Sequence, residues 1–98
     1  MAKGYWIGRV DVANDEGYKP YAAANPAIFK KFGGRFIVKG GKAETLLGPA
    51  RGENVVIEFD DYAKAKACFE SAEYQAAAEY LNRSCSVVEF VIVEGTGQ

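Results

Sequence analysis

The chain has 98 residues, 49% hydrophobic and 26% charged, with 12 basic and 13 acidic side chains and a net charge of −1. That is one domain, 1–98, with enough apolar material for a core and no concentration of positive charge to hold nucleic acid. Histidine is absent, which removes Ser-His and Cys-His nucleophilic machinery, His-ligated zinc and His-ligated haem.

The apolar runs fall far short of the ~20 residues of a membrane span, so no membrane partner is expected. Met1-Ala2-Lys3-Gly4 leads straight into a strand with no signal-peptide core, and a cytoplasmic location is expected. Cys68 and Cys85 form no motif and read as free packing thiols. No metal site or cofactor is expected.

Tyr5 to Val12 alternates as a strand, with Trp6, Gly8, Val10 and Val12 on one face and Tyr5, Ile7, Arg9 and Asp11 on the other. Asn14-Asp15-Glu16 starts a helix that runs to about Phe32. Tyr18, Tyr21 and Ala22 share a stripe of it. Asn25-Pro26 predicts a kink or a fresh start, with Asn25 as cap, because proline has no N–H and clashes with a continuing helix. Ile28, Phe29 and Phe32 supply the rest of the apolar face, and Gly33 stops the helix.

Arg35 to Lys39 is a second strand bracketed by Gly33-Gly34 and Gly40-Gly41, with at least one residue of the first pair expected at positive φ. Lys42 to Leu47 is read as an extended arm, followed by a loop through Gly52. Asn54 to Phe59 is the third strand. Asp60-Asp61 caps a helix to about Glu70, and Ser71 caps another, in which Tyr74, Ala77, Ala78 and Leu81 recur at helical spacing up to Arg83. Ser86 to Val93 is the fourth strand. The order β-α-β-β-α-β is the ferredoxin-like α+β pattern. It predicts a four-stranded antiparallel sheet with two helices on one face, the first and third strands central.

Sorting the strands by parity puts Trp6, Val10, Val12, Phe36, Val38, Val55, Ile57, Phe59, Val88, Phe90 and Ile92 on a face without charge. That face must meet the helices. The opposite face carries Tyr5, Ile7, Arg9, Asp11, Arg35, Ile37, Lys39, Val56, Glu58, Val87, Glu89, Val91 and Val93. It is too apolar for water and too charged for an ordinary core, and a second copy of the same sheet is the simplest cover. In this topology Glu89, Arg9, Glu58 and Arg35 follow one another across the sheet with alternating sign. They read either as a cross-strand ion-pair ladder or as a pocket floor. In the pocket, Arg35 holds an anionic or carbonyl-bearing ligand and Glu58 acts as base or orienter, making these two the candidate catalytic residues. Arg9, Tyr18, Tyr21, Lys39, Tyr74 and Arg83 are the candidate ligand-binding residues.

Gly33-Gly34-Arg35-Phe36-Ile37-Val38-Lys39-Gly40-Gly41 resembles the signature of small bacterial proteins grouped as "domain of unknown function 1330". Val56-Ile57-Glu58-Phe59, Ser71-Ala72-Glu73-Tyr74-Gln75 with Arg83, and the spaced Tyr18 and Tyr21 resemble further segments of that family. The resemblance implies a dimeric α+β barrel. Lys39 stands where the family often has Arg, and Cys68-Phe69 where an aromatic pair is common. Relatives by fold include cofactor-free monooxygenases, lactone isomerases and haem enzymes, and the missing histidine counts against the last. The expectation is a homodimer with a small-molecule pocket between sheet and helices, acting without a cofactor on a small organic acid or carbonyl compound. The alternative is a non-catalytic binding or structural dimer whose charges serve assembly only.

Overall fold

Alternating apolar residues make each strand two-sided, and the sheet they form is covered by helices on one side. The structure, a computed structural model, describes residues 2–98, so Met1 at the head of the expected leader-free start lies outside the described residues. The elements run β1 (Gly4–Val12), α1 (Asp15–Lys31), β2 (Arg35–Lys39), β3 (Glu53–Phe59), α2 (Tyr62–Glu70), α3 (Ala72–Ser84) and β4 (Cys85–Glu94). The sheet is antiparallel throughout, in the order β2-β3-β1-β4. This is the ferredoxin-like α+β fold, with the second helical segment divided at Ser71. Ser71 closes α2 and its hydroxyl caps α3 by accepting from the Tyr74 N–H at 3.1 Å. The Asn14 and Asp61 side chains cap α1 and α2 in the same way. Among the described residues no helix is long and apolar enough to cross a membrane.

The core is aromatic. Trp6 is 1% exposed, with Phe29 at 4.9 Å and Tyr74 at 4.8 Å in edge-on contact and its indole N–H donated to the Ala65 carbonyl at 2.8 Å. Both cysteines are free thiols, and Cys68 is buried in this core.

Three expectations are corrected. First, α1 is one helix, and Asn25 caps nothing in it. Pro20 and Pro26 both sit on its exposed side, and Glu16 and Ala22, whose carbonyls they leave without a helical partner, are exposed residues as well. The buried stripe Tyr21, Asn25, Phe29 runs unbroken at i, i+4, i+8 and holds the helix on the core. Second, β2 carries a bulge between Phe36 and Val38. Phe36 pairs with Ile57, but Val38 pairs with Val56 and Lys39 with Val55. One extra residue, Ile37, reverses parity, so Val38 turns to the open face, 40% exposed, and Lys39 turns to the helix side. Third, Lys42 to Leu47 forms no extended strand. It belongs to a loop on which Leu46 and Leu47 are 87% and 96% exposed.

Gly33 adopts φ 81°, the left-handed turn that ends α1. A Cβ on Gly34 would lie 2.6 Å from the Phe59 ring and 3.1 Å from the Phe29 carbonyl oxygen. Val at either position is expected to cost more than ~1 kcal/mol, by backbone strain at Gly33 and by steric overlap at Gly34. Urea denaturation of the two variants checks this, and an unchanged midpoint in both would contradict the turn.

Candidate functional site

A cavity of about 90 Å³ lies between α1 and the helix-side face of the sheet. It holds several times the ~10–15 Å³ needed for one water. Tyr18, Tyr21, Asn25 and Phe29 of α1 form one wall. Phe36, Glu53, Val55 and Ile57 line the sheet side, Phe90 of β4 closes another side, and Lys39 stands at the edge. Phe90 can lie across β1 because position 8 is glycine: a Cβ there would be 2.4 Å from its ring.

The polar groups of this cavity are incompletely paired. Asn25 is 7% exposed, and its Oδ1 is buried with no hydrogen-bond partner. A lone buried amide oxygen is costly, and such a group in a cavity calls for a donor from outside. Lys39 lies over the Phe36 ring, 4.7 Å from its centre. Among the described residues Lys39 and Glu53 enter no ion pair. Burial, reinforced by the Glu53 carboxylate, pushes the Tyr18 phenol up to about 12. The Tyr21 and Tyr74 hydroxyls share a buried hydrogen bond of 2.8 Å, and burial raises both.

Of the residues singled out from sequence, Tyr18, Tyr21 and Lys39 meet in this cavity. Tyr74 touches it only through the hydroxyl of Tyr21, and Arg83 is exposed in the last turn of α3. Arg35, Glu58 and Arg9 lie on the opposite, open face of the sheet. Arg35 faces Glu58 in register and is ion-paired with it. The rest of the expected ladder is different. Tyr5, not Arg9, stands opposite Glu58 and donates its hydroxyl to it at 3.0 Å. Arg9 instead donates to Asn54 Oδ1 and to the Pro49 carbonyl, each at 3.0 Å. Glu89 faces Arg9 in register but is clamped by Arg51 at 2.9 and 3.2 Å, which holds its carboxyl below the usual carboxylate range.

Asn25, Glu53 and Arg51 are the residues that sequence reasoning passed over. The signal for Asn25 is a polar residue between Tyr21 and Phe29 on an apolar stripe. For Glu53 it is parity with Val55 and Ile57. Arg51 had none, since it acts from a loop. Among the described residues no group of acids and cysteines suits a metal ion.

A family model described as "Domain of unknown function (DUF1330)" matches residues 3–96. None of the curated proteins matches the chain. Among solved structures, it is similar to a protein of unknown function from Rhodopseudomonas palustris, with TM-score 0.78 and 14% identity over 94% of this chain and 81% of that one. It is also similar to a dimeric ferredoxin-like protein of unknown function from Bacteroides fragilis, with TM-score 0.62 and 16% identity over 94% and 95%. The cofactor-independent oxygenase SnoaB of Streptomyces nogalater is similar at TM-score 0.66 and 15% identity over 95% and 92%.

Replacing Asn25 by Leu removes the orphan amide from an apolar wall and should stabilise the unliganded protein by about 1–3 kcal/mol, read from urea denaturation. Stability should also depend on alkaline pH. The phenols of Tyr18, Tyr21 and Tyr74 are raised in the folded state, so their contribution is complete below the unfolded value of ~10. It should fall between pH 10 and about 12, as the unfolded chain ionises first, and Tyr18→Phe should flatten that fall. Denaturation midpoints at about pH 9 and about pH 11 check the slope.

Proposed function

This chain belongs to the DUF1330 family, and from that premise we propose that it is a homodimer that binds a small organic acid or carbonyl compound in the cavity between α1 and the sheet. The observation that carries the reading is the cavity wall, where the buried Asn25, its Oδ1 unpartnered, stands among aromatic side chains, with the exposed Lys39 free of any ion pair at the edge. A protein that only packed would do better with an aliphatic side chain at position 25. Lys39 meets the ligand's negative end, and Tyr18, protonated at neutral pH, is a donor beside it.

The open sheet face supports the dimer. Ile7, Ile37, Val38, Val91 and Val93 are each more than a third exposed there, beside the Arg35–Glu58 pair and the Arg51 clamp. On this reading Arg35 and Glu58 organise the two-fold face. The free thiols suit a reducing compartment, and we assign the protein to the cytoplasm. Turnover without a cofactor is the second reading. It is favoured by Tyr18 and Glu53, a phenol acid and a carboxylate base in one cavity.

Light scattering at micromolar concentration should give twice the mass of one chain, with an interface above ~1,000 Å² in total, and Ile37→Asp should shift it toward monomer. A thermal-shift screen of small carboxylates and carbonyl compounds should raise the melting temperature of the wild type and not of Lys39→Met. A dimer that no such compound stabilises would leave only the assembly role.

A further inference from the structure

We infer that the ligand of this cavity is a small zwitterion, a short amino acid that presents an ammonium and a carboxylate together. The inference rests on the binding reading above and adds a second charge to it. Lys39 stands opposite Val55, and Glu53 is two residues before Val55 on the same face of β3. That is the diagonal cross-strand position, ~7–8 Å between side-chain origins and within reach of a lysine. Yet among the described residues the two charges do not pair with each other or with anything else. Glu53 turns back toward the glycine turn after β2, with one carboxylate oxygen 3.9 Å from where a Cβ on Gly40 would be.

The cavity therefore offers two kinds of partner. Lys39 and the protonated Tyr18 hydroxyl are donors for an anion. Glu53 is the acceptor for a group with several N–H bonds, and Asn25, whose buried Oδ1 has no partner, stands on the facing α1 wall. A plain carboxylate answers Lys39 and leaves Glu53 facing a methyl group. A plain amine does the reverse. A hydroxy acid answers Lys39 but leaves the Glu53 charge uncompensated. Only a molecule with both charges answers Lys39, Tyr18 and Glu53 together, and a cavity of about 90 Å³ restricts it to a short one. The bulge at Ile37 is what brings the cation to the same side of the sheet as the anion.

The test is calorimetric binding and thermal shift on the whole chain with a matched set: propionate, propylamine, alanine and β-alanine. One of the two amino acids should raise the melting temperature by roughly 5 °C at ten times its Kd. It should bind at least ~10-fold tighter than propionate or propylamine, the weight of one charge-assisted hydrogen bond. Glu53→Gln should reduce it to the level of propionate, and Lys39→Met to the level of propylamine. Asn25→Leu, which is expected to fold well, should weaken the amino acid at least ~10-fold while leaving the dimer intact. Amino acids no better than propionate, or Glu53→Gln binding them like the wild type, would overturn the zwitterion and leave the small-acid reading standing. If no acid, amine, amino acid or carbonyl compound binds, the binding reading itself falls.

Discussion

Trp6 stands where nearly every element meets. From β1 its ring touches Phe29 of α1, Phe69 of α2, Tyr74 of α3, Phe59 of β3 and Phe90 of β4, at centroid distances from 4.8 to 5.9 Å. Its indole N–H is tied to the Ala65 carbonyl of α2. A buried aromatic of this size contributes through apolar burial and through edge-on contacts of ~0.5–1.5 kcal/mol each. The hydrogen bond adds direction, since an unpaired indole N–H in this setting is expensive. The cavity lining depends on it too: Phe29 and Phe90 both line the cavity and both pack on Trp6.

The two faces of the sheet solve different problems. The helix side is apolar except at one end, where Asn25, Glu53, Lys39 and Tyr18 interrupt it. The open side mixes branched aliphatics with a few charges that are largely engaged with one another. Glu58 accepts from both Arg35 and Tyr5, Glu89 is held by Arg51, and Arg51 also lies 3.6 Å from Asp11. Exposed pairs of this kind add little stability, about 0–1 kcal/mol each. What they do fix is geometry, since each long side chain is held along the sheet by its partner.

Much of the fold was legible in the sequence because its signals are local. Strand alternation in Tyr5 to Val12, the caps Asn14, Asp61 and Ser71, and Gly33 at the end of α1 each depend on a few adjacent residues, and each appears as read. What was misread depends on pairing partners. Parity predicts the face of every β2 residue until the bulge, and nothing in Arg35 to Lys39 itself announces an extra residue. The chemistry of Pro26 opposes a helix and so predicts a break, and the buried stripe on the other side of α1 outweighs it. The cavity followed the same pattern. Tyr18 and Tyr21 could be named from spacing, but Asn25 and Glu53 mattered only once β3 and α1 were face to face.

The bulge at Ile37 also separates two inheritances within five residues of chain. Arg35, Ile37 and Val38 belong to the outer surface, Phe36 and Lys39 to the inner chamber, and the boundary between them is a counting error in the pleat rather than a change of composition. Loss of one residue there would leave the chain chemically similar while exchanging the address of Lys39. Point changes at Lys39, by contrast, alter the charge at the edge of the chamber without disturbing the surface beside it. A family built on this frame can vary its inner chamber and its outer face along separate tracks.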